Sequence, residues 1–287
     1  MPEKESEDDM KRDRINIRDP FILPSPEDGL YFMYGTTAMN KAPCFELFVS
    51  RDLEEFDGPF PLFSPPDGFW ADERFWAPEV HRWRGAYCMF ATMGASAAGL
   101  LGTQVLRTDT PRGPFVPVSD HPLTPRSWRS LDGTLFADET GAWMIFCHEW
   151  VQIGDGSVEL MPLAPDLSAP AGEPRTLFHA SEAPWVRPVR RGCFVTDGPF
   201  VFRHTDGGLR MLWSSFGEGG YAVGMAYSEG GIAGPWRHFP EPLYHADGGH
   251  AMIFRKFDGS RCLAFHSPNR APLERACFLP LSPSFFP

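Results

Sequence analysis

The 287 residues carry a formal net charge of −11, and 43% of them are hydrophobic and 14% aromatic. An acidic surplus of that size excludes nucleic acid and an anionic membrane surface as partners, because both demand clustered Lys and Arg. Six cysteines stand singly without a C-x-x-C pair, so nothing calls for a zinc ribbon or an oxidising compartment.

The chain opens on a charged stretch, 1–14, with no apolar run. It is neither signal peptide nor membrane anchor and is expected as a short disordered tail. Cytoplasmic residence is the default expectation, with a removed signal leaving secretion open. From residue 15 onward one pattern repeats. A glycine turn leads into Leu30-Tyr31-Phe32-Met33-Tyr34, then into Ala86-Tyr87-Cys88-Met89-Phe90, then into Ala142-Trp143-Met144-Ile145-Phe146. Leu209-Arg210-Met211-Leu212-Trp213 and a looser Arg261-Cys262-Leu263-Ala264-Phe265 complete the set. The runs end at positions 34, 90, 146, 213 and 265, spacings of 56, 56, 67 and 52. Each unit also has an opening strand before the run and, in three units, a Gly-Pro-aromatic turn after the third strand: Gly58-Pro59-Phe60, Gly113-Pro114-Phe115 and Gly234-Pro235-Trp236. No helical periodicity competes with this pattern. Units this small cannot bury their own apolar faces and must pack around a common axis. The spacing therefore predicts an all-β chain forming a five-bladed β-propeller over 15–287, a single domain.

In a propeller the first strand of each blade lines the axis, and the residue entering it faces the central mouth. Asp19, Asp132, Asp197 and His250 stand there in four units, and Trp76-Ala77-Pro78 in the remaining one. Carboxylates gathered from distant parts of a chain raise one another's pKa. One can then keep its proton as a general acid while another, ionised, serves as base. An aromatic ring beside them offers a flat face to a sugar. Against this stands the ordinary turn chemistry of Asp-Pro and Asp-Gly, which explains one such residue better than it explains three. No histidine pair has zinc-protease spacing, and no nucleophile elbow or phosphate loop is present.

The segments Arg18-Asp19-Pro20-Phe21, Trp76-Ala77-Pro78-Glu79, Leu131-Asp132-Gly133-Thr134 and Thr196-Asp197-Gly198-Pro199, in this order, resemble the motifs of glycoside hydrolase family 43. The resemblance runs from about Ile15 to Pro268. It implies an inverting glycosidase of plant-type oligo- or polysaccharides, of α-L-arabinofuranosidase, β-D-xylosidase, arabinanase or β-1,3-galactosidase type. It implies that Asp19 is the general base, that Asp132 tunes and orients the acid, and that Trp76 lines the terminal sugar subsite. It further implies, in some members, a structural calcium ion near the axis, with His250 resembling the histidine that holds the ion or its water. No cofactor is required.

The sequence departs from the family's pattern at the acid, where Asp197 stands in place of the usual Glu. Ser181-Glu182-Ala183-Pro184-Trp185 supplies a second match in wording, so Asp197 and Glu182 both remain candidates for the acid. Asp197 is favoured by strand position and Glu182 by residue type. Glu149 is a third acid at a strand end, Glu79 is a candidate for substrate binding or a solvent-facing residue, and Trp185 is a candidate sugar platform. The leading expectation is an exo-acting α-L-arabinofuranosidase whose partner is an oligosaccharide or polysaccharide. A non-catalytic carbohydrate-binding propeller is the alternative of another class. A glycoside phosphorylase would need basic residues around the water position, where only Arg18 stands.

Overall fold

The computed structural model describes residues 10–37, 44–282 and 285. Within them the chain forms a ring of five antiparallel sheets, the five-bladed propeller expected from the repeat. Blade one contains Arg18–Ser25, Leu30–Thr36, Phe45–Ser50 and Glu55–Phe63, and blade two Glu73–Trp83, Ala86–Ala95, Leu100–Thr108 and Val116–Pro117. Blade three contains Ser130–Asp138, Gly141–His148, Ser157–Leu163 and Arg175–His179, and blade four Asp197–Arg203, Leu209–Gly217, Gly220–Ser228 and Arg237–His238. Blade five has three strands among the described residues, Gly249–Arg255, Arg261–Ser267 and Arg275–Pro280.

The five apolar runs of the sequence are the second strands. Each lies between two strands of its own sheet and is covered on both faces by neighbouring blades, so it reads as a continuous apolar run rather than an alternating one. The core accordingly lies in the seams between blades. Between blades three and four, Trp213 is fully buried, with its ring centroid 5.2 Å from Phe178 and 5.1 Å from Trp185. Phe146 and Phe90 fill the seam between blades two and three, and Phe265 and Leu212 that between four and five.

The N-terminal segment departs from expectation at its end. Met10–Lys11 pairs with Glu55 and Phe56 and adds an outer edge strand to blade one. The expected tail, 1–14, is thus corrected for 10–14, and 1–9 lie outside the described residues. The ring closes through contacts between blade five and the entry to blade one. Ile17 donates its N–H to the Glu274 carbonyl at 3.3 Å, Arg275 Nε donates to the Asp13 carbonyl at 2.6 Å, and Tyr31 stacks on Phe257 at 4.1 Å.

Every inner strand begins with the same irregularity. The ladder to the second strand slips between Arg18 and Phe21, Trp76 and Glu79, Leu131 and Thr134, Asp197 and Phe200, and Gly249 and Met252. These are β-bulges, which bend a strand and re-aim its side chains. In each, the second residue is left-handed: Asp19 at φ 53°, Ala77 at 45°, Asp132 at 55°, Gly198 at 50° and His250 at 55°. Asp tolerates this region better than most residues, whereas Ala accepts it at a cost of about 1–2 kcal/mol.

The seam between blades three and four permits a direct test. A Cβ on Gly224 would drive into the indole of Trp185. Gly224→Ala should lower the unfolding free energy by about 1–3 kcal/mol, the usual penalty for overpacking. Urea denaturation is the measurement, and an unchanged midpoint would mean that the seam is not packed this way.

Candidate active site

The bulges aim their side chains into a cavity at the axis of ≈ 270 Å³, lined by Arg18, Asp19, Thr36, Trp76, Leu131, Asp132, Glu149, Asp197, Tyr221 and His250. Liquid water occupies ~30 Å³ per molecule, so the space is ample for several waters or a sugar unit.

The equivalence of the three aspartates needs one correction. Asp19 and Asp132 share the left-handed position with His250, but in blade four that position belongs to Gly198. Asp197 stands one residue earlier, level with Arg18 in blade one and Trp76 in blade two. Gly198 is demanded twice over. Its φ is left-handed, and a Cβ there would stand 2.7 Å from Cγ of His250.

The left-handed turns expose backbone N–H groups that the ladder cannot use, and each finds a side-chain acceptor. Ala77 donates to Thr36 Oγ1 at 2.7 Å, Asp132 to Thr92 Oγ1 at 2.8 Å, His250 to Ser214 Oγ at 2.8 Å and Asp19 to His266 Nδ1 at 3.2 Å. Each acceptor lies on the second strand of the preceding blade. The remaining N–H, that of Gly198, goes to Asp132 Oδ2 at 3.0 Å.

The buried aspartates have opposite electrostatic surroundings. Burial disfavours a charge on Asp19, but the nearby His250, the His266 ring and the Arg18 guanidinium outweigh it and hold the carboxyl well below the usual range. Its Oδ1 is 3.3 Å from Nδ1 of both His250 and His266, and Thr36 donates its hydroxyl to Oδ2 at 2.7 Å. Asp132 is pushed up to about 8, first by burial and then by the charges of Asp19 and Glu79, against the opposing hydrogen bonds from Gly198 and Thr92. Asp197 is pushed up to about 7 by burial and by Asp132, although the Tyr221 hydroxyl donates to its Oδ2 at 3.0 Å. Asp132 and Asp197 therefore titrate as a pair that retains a proton near neutrality, while Asp19 is ionised.

The structure brings Asp19, Asp132, Asp197, Trp76, Glu149 and His250 to one cavity. Glu149 is held there by Arg129 Nε at 2.8 Å. It leaves out three of the residues expected to join them. Glu182 is exposed at the end of blade three, where its Oε1 accepts the His179 N–H at 2.7 Å in a capping box; a helix-capping role has won over a catalytic one. Trp185 is only 4% exposed and is seam packing rather than a sugar platform. Glu79 is 5% exposed, accepts the Thr134 hydroxyl at 2.5 Å and lies 3.2 Å from His81, so it acts on Asp132 from within the protein and not on a ligand.

Sequence reasoning did not single out Tyr221, Thr36, Leu131 or His266. Thr36, Thr92, Ser214 and His266 were findable, as polar residues just after each apolar run. Tyr221 carried no signal, since tyrosines also occur within the apolar runs, at Tyr31, Tyr34 and Tyr87. Among the described residues no group of three or more His, Cys, Asp and Glu is arranged to hold a metal ion. His250 turns Nδ1 toward Asp19 and, at 3.7 Å, Asp132. This donor set does not fit a directly ligated calcium, and no step is routed through one.

An ionised and a proton-bearing carboxyl in one sugar-sized cavity are the equipment of acid–base glycoside cleavage. The sequence profile of Glycosyl hydrolases family 43 matches residues 14–280, and the chain belongs to this family of glycoside hydrolases. Its structure is similar to an endo-arabinase from Bacteroides thetaiotaomicron VPI-5482 at 37% identity and a TM-score of 0.89, covering 96% of this chain and 98% of that one. A thermostable family-43 glycoside hydrolase, at 22% identity and a TM-score of 0.80, covers 95% of this chain and 93% of its own. An endo-1,4-beta-xylanase from Bacteroides thetaiotaomicron VPI-5482, at 23% identity and a TM-score of 0.76, covers 93% and 91%. These last two likenesses speak for the fold alone. No curated protein matches the chain.

The raised pair has a consequence for stability. A carboxyl with a folded pKa above its unfolded one binds its proton more tightly when folded. Its contribution is present below the ordinary value near 3.8 and is lost as pH rises toward 7 or 8. Asp19, with the opposite shift, stabilises above its ordinary value and loses that contribution as pH falls. Asp132→Asn keeps a side chain that tolerates the left-handed backbone and removes the buried charge. It should raise Tm at pH 8 by several degrees, with the gap closing toward pH 4. Thermal unfolding across pH measures this, and a variant destabilised equally at both pH values would contradict it.

Proposed function

We propose that the chain is an inverting hydrolase of α-L-arabinofuranosyl linkages that releases terminal units, with Asp19 as general base, Asp197 as proton donor and Asp132 as the carboxylate that keeps the donor's proton in place. The observation that carries this reading is the split between the ionised Asp19 and the proton-retaining Asp132–Asp197 pair in one cavity. Asp19 takes a proton from water as the water oxygen attacks the anomeric carbon. Asp197 gives its proton to the departing glycosidic oxygen, and the configuration inverts. Trp76 and Leu131 supply apolar wall against the ring, and Arg18 supplies hydrogen-bond donors for hydroxyls. A cavity of ≈ 270 Å³ is small against a chain of several sugars and favours terminal cleavage, and the endo-arabinase similarity at 37% identity favours arabinose. The same similarity supports a second reading, attack within an arabinan chain, because that relative is named for endo action.

Asp19→Asn should lower kcat by at least about 100-fold, the scale of positioned general-base catalysis, with KM little changed. Asp197→Ala should retain much of its rate on 4-nitrophenyl α-L-arabinofuranoside, whose leaving group needs little protonation, and lose it on arabinan. In the native enzyme kcat/KM should fall as pH rises through about 7, where the acid pair loses its proton. Proton NMR of the first product should show the inverted anomer. Retention, or equal loss on both substrates in Asp197→Ala, would remove this mechanism. Arabinose as the first product from linear arabinan supports terminal release, and longer oligosaccharides support internal cleavage.

A further inference from the structure

In four blades the N–H of the left-handed residue is taken by a side chain directly across the ladder from the preceding blade's bulge. Thr36 lies opposite Arg18, Thr92 opposite Trp76, Ser214 opposite Asp197 and His266 opposite Gly249. By the same register the fifth such position, opposite Leu131, is Cys147. Cys147 is fully buried, and its thiol is raised well above its ordinary value by burial and by the charges of Asp132 and Asp197. A neutral thiol is a weak acceptor. The Gly198 N–H that Cys147 would otherwise hold goes to Asp132 instead.

We propose that Cys147 is a positioning residue for the acid pair: it fills the acceptor slot without accepting the Gly198 N–H, and so leaves that N–H to tie the bulge that carries Asp197 to the Asp132 carboxylate. A hydroxyl in that slot closes the fifth turn like the others and detaches Asp132 from blade four. Asp132 then loses a donor that favours its charged form. The ionisable groups facing Asp132 are Asp19, His250, Glu79, Asp197 and Cys147, and those facing Asp197 are Asp132, His250, Arg18, Tyr221 and Cys147. Cys147→Ser leaves every one of them except the thiol in place.

This inference rests on the acid–base reading above. The test compares Cys147→Ser with Cys147→Ala on linear arabinan, with Asp132→Asn as reference. Serine should lower kcat about tenfold, the low end of what losing one positioned hydrogen bond to a charged group costs. It should move the upper limb of the pH profile to higher pH and leave KM within about twofold. Alanine, which cannot accept the N–H, should keep the native pH profile and kcat within about twofold, at some loss of Tm. A purely packing role for the thiol predicts the reverse, with serine the milder change and neither variant moving the limb. A native pH profile and kcat in Cys147→Ser, beside an Asp132→Asn that is inactive, overturns this inference and leaves the mechanism standing. An active Asp132→Asn overturns both. A crystal structure of Cys147→Ser should place Ser Oγ within hydrogen-bond distance of Gly198 N.

Discussion

The site depends on a backbone constraint: each inner strand must enter the ring through a left-handed bulge. A strand entering straight would alternate its side chains between the two seams and present none to the axis. The bulge breaks that alternation and points one or two side chains per blade at the cavity, at the cost of an awkward φ and a stranded N–H. That cost is met by acceptors on the neighbouring blade, so the same hydrogen bonds that satisfy the turns also lock adjacent blades in register. Fold closure and site geometry share one set of contacts.

The electrostatics follow from which residues occupy those turns. Asp19 lies between two imidazoles and next to Arg18, and the compensation is sufficient to keep it charged although buried. Asp132 shares His250 with Asp19 only at 3.7 Å, and Glu79 adds negative charge from the protein side. It therefore resists ionisation, as does Asp197 next to it. Division of labour between chemically identical carboxyls thus arises from their neighbours. Tyr221 joins the two halves of the cavity, because its hydroxyl reaches Asp197 while its ring stacks on His266, 5.6 Å away, which holds Asp19.

Much of this was legible in the amino-acid order. The apolar second strands mark the blades because a strand covered on both faces has to be apolar throughout, and their spacing counts the blades. Asp19, Asp132 and His250 could be found because the left-handed turn sits at a nearly constant offset, varying by a residue or two, from each run. The one-residue displacement of Asp197 could not be found that way, since a bulge adds a residue without changing the apolar pattern, and only the ladder partner, Ser214, reveals it. Glu182 and Trp185 sit in a segment whose wording matches an inner-strand entry, but the segment is a connection between blades, where a capping carboxylate and a seam indole suit the local backbone. Glu79 lies three residues along from Trp76, past the slip in the ladder, and its side chain falls on the protein side of the strand.

Site-resolved titration of Asp19, Asp132 and Asp197 by carbon NMR, in protein labelled at the aspartate carboxyls and assigned through single Asp→Asn substitutions, tests the proton distribution at the axis most directly. The structure predicts that Asp19 stays ionised to the lowest pH at which the protein remains folded, while the Asp132–Asp197 pair gives up its last proton only at about pH 7 or above. Three carboxyls titrating together near the ordinary value of about 3.9 would contradict it.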